Sequence, residues 1–203
     1  MALSGINNLL TAIWEVIRDR IPVLSNGKIP VDVASSTPGL AWVSTATITR
    51  AANTTAYTAN DVYGNGSSGN AFELTNIGPS GGFVFLSSLD IIFNITALPS
   101  GMGAFVVYLF DAPPPSAITD NLPYSLGSGD RTTIITLNGI SLIASLAAKG
   151  NGGSVVAESL NINQLFKLAT GSTSLWGYLV TLNAFTPAAN SETATIRARS
   201  FSL

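Results

Sequence analysis

Residues 83–98 read FVFLSSLDIIFNITAL. Phe83, Phe85, Leu89, Ile91, Phe93 and Ile95 fall on odd-numbered positions and are all apolar. Successive side chains of an extended chain point to opposite faces, so a period of two puts these six on one side. The pattern predicts a long strand with those residues on its inner face.

The flanking segments extend the pattern. In residues 42–50, WVSTATITR, Trp42, Ser44, Ala46 and Ile48 alternate with Val43, Thr45, Thr47 and Thr49. Further strands are expected at 71–77, 104–110, 132–137, 140–146, 155–168, 175–185 and 193–202. Asn138-Gly139 separates two of them and is a strong hairpin signal. The middle of SVVAESLNINQLFKL, residues 154–168, is expected to bend or to carry a short helix. Eight or nine strands with Gly-, Asn- and Pro-rich connections predict an antiparallel β-sandwich over residues 40–203. Strands long enough to bridge two packed sheets favour a jelly roll.

Residues 1–39 differ. Leu3, Ile6, Leu10, Ile13 and Ile17 recur at intervals of three and four, a heptad seam on an α-helix that Pro22 ends. Leu at a and Ile at d positions favour trimers or tetramers over dimers. Trp14 lies off the seam and gives the helix a second apolar face. The helix packs on its own domain, or between subunits, or docks onto a partner. An extended arm follows at 21–39, too apolar for a freely solvated linker. It lies across a neighbouring surface or adds an edge strand to its own sheet.

Composition excludes several functions. The 203 residues are 46% hydrophobic and 10% charged, with net charge −2. A charged fraction near 25% is usual, so much of this surface is expected to be covered by other protein. The Lys/Arg clusters of a nucleic-acid binder are missing. Cys and His are both absent, which removes thiolate chemistry, the commonest general base and the commonest transition-metal ligand. No apolar run of 18 residues suggests a membrane-spanning helix.

The eleven carboxylates are scattered, apart from Asp111, Asp120 and Asp130 around the proline run of VVYLFDAPPPSAITDN, residues 106–121. Asp111 and Asp120 are expected to fix the loop through local turns. Calcium ligation and glycosidase chemistry are the alternatives, and neither has the required spacing. Eight Trp and Tyr residues would make a carbohydrate platform only if several met on one exposed face, and most sit at strand positions typical of core. The chain is therefore expected to be no enzyme, and to need no cofactor or metal. Asp111, Pro113, Pro114, Pro115 and Asp120 then read as a rigid contact rim, because fixed φ angles lower the entropy lost on docking.

PVDVASSTPGLAWVSTATITRAANTTAYTANDVYG, FELTNIGPSGGFVFLSSLDIIF and the proline stretch resemble a group of small tailed-bacteriophage virion proteins over roughly residues 30–145. TRAANTTAYTANDV and LFDAPPPSAITDN carry most of that resemblance. It implies a β-sandwich capsid decoration (cement) or fibre protein, made in the host bacterial cytoplasm and placed on the capsid surface of the virion. It also implies a homotrimer whose partners are the major capsid protein or other virion proteins; the charge pattern and the absence of a long apolar run leave neither nucleic acid nor membrane expected as a partner. The alternative is a fibre or receptor-binding β module for a host surface glycan.

Overall fold

The computed structural model describes residues 40–66, 68–95, 97–142 and 155–202. The expected N-terminal helix with Leu3, Ile6, Leu10, Ile13, Trp14 and Ile17, and the arm at 21–39, lie outside the described residues.

Ten strands are present among the described residues: β1 (Ala41–Thr49), β2 (Val62–Tyr63), β3 (Phe72–Leu74), β4 (Phe83–Phe93), β5 (Phe105–Phe110), β6 (Ile140–Leu142), β7 (Val155–Ser159), β8 (Gln164–Lys167), β9 (Leu175–Thr181) and β10 (Thr193–Ser202). They form two five-stranded sheets. One runs β1-β10-β4-β7, with β8 continuing β7 along β4; the other runs β2-β9-β5-β6, with β3 continuing β2 along β9. Every ladder is antiparallel.

Counting each interrupted strand once, the first half of the chain pairs with the second half in reverse order. The first strand meets the last (β1·β10), then β2/β3 meet β9, β4 meets β7/β8, and β5 meets β6. Successive pairs alternate between the sheets. That is the jelly roll, and the expected sandwich class is correct.

The core between the sheets is apolar and rich in rings. Tyr63 meets Phe93 edge-on at 5.5 Å, and Phe105 lies 5.0 Å from Phe93 and 6.2 Å from Phe185. Ser44, Ala46 and Ile48 of β1 are buried as the alternation required.

Strand β4 departs from its expected pattern. Leu89, Ile91 and Phe93 face inward, but in the first half the buried residues are Val84 and Leu86, while Phe83 is 48% exposed. The register passes from Arg199↔Ser88 to Ser200↔Leu86, so Ser87 is an extra residue, a β-bulge. One inserted residue switches the inward set from odd to even positions. Ser87 is held there: its hydroxyl donates to Arg199 O at 2.9 Å and its carbonyl accepts from Ile162 N at 3.1 Å. Ile162 lies in the break between β7 and β8, where Asn163 takes a left-handed φ of 50°. The expected bend in this segment is a kink rather than a helix.

The expected hairpin at Asn138-Gly139 is also corrected. Gly139 N donates to Thr136 O at 2.9 Å, closing a turn, but the two arms do not pair with each other. Both lie along β5: Ile134 bridges Phe110, and Ile140 pairs with Val107. The strand expected at 132–137 is reduced to the single bridge at Ile134, and a 3-10 turn over Asp130–Thr132 precedes it.

Candidate functional site

Between β5 and β6 the chain crosses the outer face of the second sheet. Prolines cannot donate to a ladder, so Pro113–Pro115 end strand pairing directly after β5. The crossing segment brings Ile118, Tyr124, Leu126 and Ile134 onto Val62, Phe110, Tyr178 and Val180, forming a second, smaller core. Strand β5 is thus covered on both faces, which is why FVVYLF is apolar throughout rather than alternating.

Asp130, wholly buried, anchors the proline segment. It accepts from Ser116 N at 2.9 Å, Ser116 Oγ at 2.5 Å and Gly127 N at 2.7 Å. Burial pushes its carboxyl up, and these donors outweigh that, leaving it below the ordinary carboxylate value. A carboxyl lower in the folded than in the unfolded state stabilises above the unfolded value, near pH 4, and loses that contribution as pH falls through the folded value. Asp130→Asn is therefore expected to cost about 1–3 kcal/mol at neutral pH. The loss should shrink as denaturant melts are taken from about pH 5 to about pH 2. A pH-independent loss would contradict the assignment.

The rim residues separate into two groups. Pro113 and Pro115 are exposed, Pro114 and Asp111 half-buried, and Asp111 N donates to Thr133 O at 2.9 Å. Asp120 is not on the rim: its carboxylate is fully buried. Instead of making a local turn it accepts from Tyr57 Oη at 2.5 Å, Gly64 N at 3.1 Å and Ala51 N at 3.2 Å. Arg50 Nη2 lies 3.5 Å from Asp120 Oδ2, and Nη1 3.9 Å from Glu192 Oε2. Arg50 Nε donates to the Tyr57 hydroxyl. The Arg50 guanidinium also sits 4.9 Å from the Tyr57 ring centre. Burial, then the Asp120 charge, raises the Tyr57 phenol far above its ordinary value, so it stays a donor.

This network joins the end of β1 to four loops and was not anticipated from sequence. Its one local sign is Arg50, a charge directly closing the alternating run of β1. Among the described residues no group of three acids, His or Cys is placed to hold a metal ion.

Beside the rim lies a cleft of about 350 Å³. Pro113–Pro115 and Ser116 form one wall; Trp176 and Tyr178 of β9, with Glu73 of β3 and Asn70, form the other. Glu73 pairs directly with Trp176 across the ladder. The Tyr178 hydroxyl donates to Ser116 O and lies 3.1 Å from Gly69 O, tying both walls together. Gly69 is required there. Its φ is +64°, and a Cβ would come within 2.9 Å of the Ala117 backbone.

The outer face of the first sheet carries a second feature. Ala41, Phe201, Phe85 and Leu165 are in register across four strands. Phe201 is 43% and Leu165 52% exposed, and Val43 at 64% and Phe83 at 48% extend this row. Next to it the buried Asp90 carboxylate is held by Arg197 Nε at 2.7 Å and Arg199 Nη1 at 2.7 Å. Both arginines are thus paired within their own sheet.

No protein-family model and no curated protein matches the chain. Among solved structures it is similar to the cyanophage Pam1 capsid asymmetric unit, at 13% identity and TM-score 0.34, over 88% of this chain and 96% of that one. Cocksfoot mottle virus matches at 11% identity and TM-score 0.28, over 80% of this chain and 92% of that chain. Israel acute Paralysis Virus matches at 14% and 0.28, over 89% and 80%.

Proposed function

We propose that this chain is a structural protein of a virus particle, acting as a trimeric decoration (cement) protein on a phage head rather than as an enzyme. The observation that carries the reading is the exposed apolar row Ala41–Phe201–Phe85–Leu165 with Val43 and Phe83. A contiguous apolar band on an outer sheet face marks a surface that another protein covers. The low charge of the whole chain points the same way. A cement role needs no chemistry. It rests on apolar burial of about 25 cal/mol per Å² across joints between subunits, less the cost of association. The proline rim, with fixed φ angles and an anchored base at Asp130, supplies a second rigid contact. The sequence resemblance to tailed-phage virion proteins supplies the partner class, the major capsid protein. The segment 1–39, with its heptad seam, is the proposed assembly or docking device.

The test is native mass of three chains: full length, lacking residues 1–39, and full-length Leu165→Glu. A full-length trimer is expected. If the truncated chain is monomeric, the N-terminal segment assembles the trimer; if it stays trimeric, the sandwich does, and Leu165→Glu then yields monomers. A full-length monomer counts against the reading.

A further inference from the structure

We propose that the cleft between the proline wall and β9 binds a neutral saccharide, with Trp176 as its stacking face and Glu73 and Asn70 as hydroxyl partners. The volume, about 350 Å³, is that of a small-molecule site, roughly 300–1,000 Å³. Its composition fits a sugar ring. Such a ring has an apolar C–H face and a rim of hydroxyls. The half-buried indole of Trp176 meets the first, because an aromatic face attracts C–H groups and sheds poorly held water. The second needs hydrogen-bonding groups around it. Glu73, paired across the ladder from Trp176, provides a charged acceptor, and the exposed Asn70 amide provides both donor and acceptor.

Rigidity matters for so weak a class of ligand. The three prolines have fixed φ, Asp130 holds Ser116 through two hydrogen bonds, and the Tyr178 hydroxyl clamps the base. Little conformational entropy is then lost on binding. Charge narrows the class further. Glu73 is the one ionisable carboxylate among the lining residues and no Lys or Arg lines the cleft, so sialylated or phosphorylated sugars are repelled. The larger hollow over Ala51, Gly66 and Ser191 is shallower and offers no aromatic face. The saccharide site is independent of the decoration role, and either can fail alone.

The test uses the full chain labelled with 15N at its three tryptophans, titrated with maltotriose, cellotriose and chitotriose, and with sialyllactose as the anionic control. At least one neutral trisaccharide is expected to shift a single indole resonance saturably, and sialyllactose none. Trp176→Phe keeps apolar packing in the smaller core and should delete that resonance, identifying it. Glu73→Gln, on an exposed side chain, should weaken binding about tenfold, the effect of losing a charged acceptor, without lowering the melting temperature. No saturable shift with any of the three sugars would overturn the proposal. So would a shift confined to Trp14 or Trp42, binding of sialyllactose as tight as that of the neutral sugars, or a Glu73→Gln chain that binds normally. None of these outcomes bears on the native-mass experiment.

Discussion

An Asp120→Ala chain is expected to be about 3–5 kcal/mol less stable than the parent, because the substitution strands a buried cation. Arg50 has no exposed side-chain surface, and its nearest carboxylates are Asp120 at 3.5 Å and Glu192 at 3.9 Å. Removing Asp120 also leaves Gly64 N, Ala51 N and the Tyr57 hydroxyl without their acceptor. Arg50→Met should cost comparably, since it leaves the Asp120 carboxylate buried without its cation. The double variant Arg50→Met/Asp120→Ala removes both charges together. Its loss in urea melts should fall short of the summed single losses by at least about 1 kcal/mol. Strict additivity would mean that the two groups are not coupled as the geometry requires.

The second large effect comes from the bulge in β4. Leu86→Asp is expected to abolish folding, or to cost more than about 5 kcal/mol, much of a domain's whole stability. Leu86 is wholly buried, and a carboxylate there has neither partner nor water. Phe83→Asp, three residues away, should stay within about 1 kcal/mol of the parent. Phe83 is 48% exposed, and the Lys167 ammonium, 5.8 Å from its ring, can approach the new carboxylate. Strict alternation through residues 83–95 requires the opposite ranking, with Phe83 inside and Leu86 outside. Circular dichroism melts of the two variants decide between them. A folded Leu86→Asp chain would remove the bulge from the account.

The two surfaces offered for function make different demands. The apolar row on β1, β10, β4 and β8 lies on an outer sheet face beside an internally satisfied Asp90–Arg197–Arg199 cluster and suits a protein partner. The cleft is concave and small, and its polar groups suit a ligand of a few rings. The proline segment enters both proposals, as a contact rim on its outer side and as a cleft wall on its inner side. One anchor, Asp130, fixes both.

Much of this molecule is written in local sequence. Period-two alternation in residues 42–50 and 193–202, punctuated by Gly, Asn and Pro, suffices for an antiparallel β-sandwich, because side-chain direction in a strand depends only on position along the chain. The prolines likewise state that residues 113–115 leave the sheet, since a missing N–H is a property of the residue itself. Other features have no local signature. Ser87 is a bulge only because β10 pairs on either side of it, so the inward set of β4 cannot be read from β4 alone. Asn138-Gly139 makes a turn, but whether its arms pair with each other depends on β5 lying beside both. Asp120, Arg50 and Glu192 are far apart in the chain; pairing of β1 with β10 up to Thr49↔Thr193 sets Arg50 beside Glu192, and the β5–β6 segment brings Asp120 to them. Trp176 and Glu73 face a cleft because the β5–β6 segment folds back over their sheet. Alternation and turn chemistry are set residue by residue; register, coverage of a face and pairing of buried charges are set by what the fold places alongside.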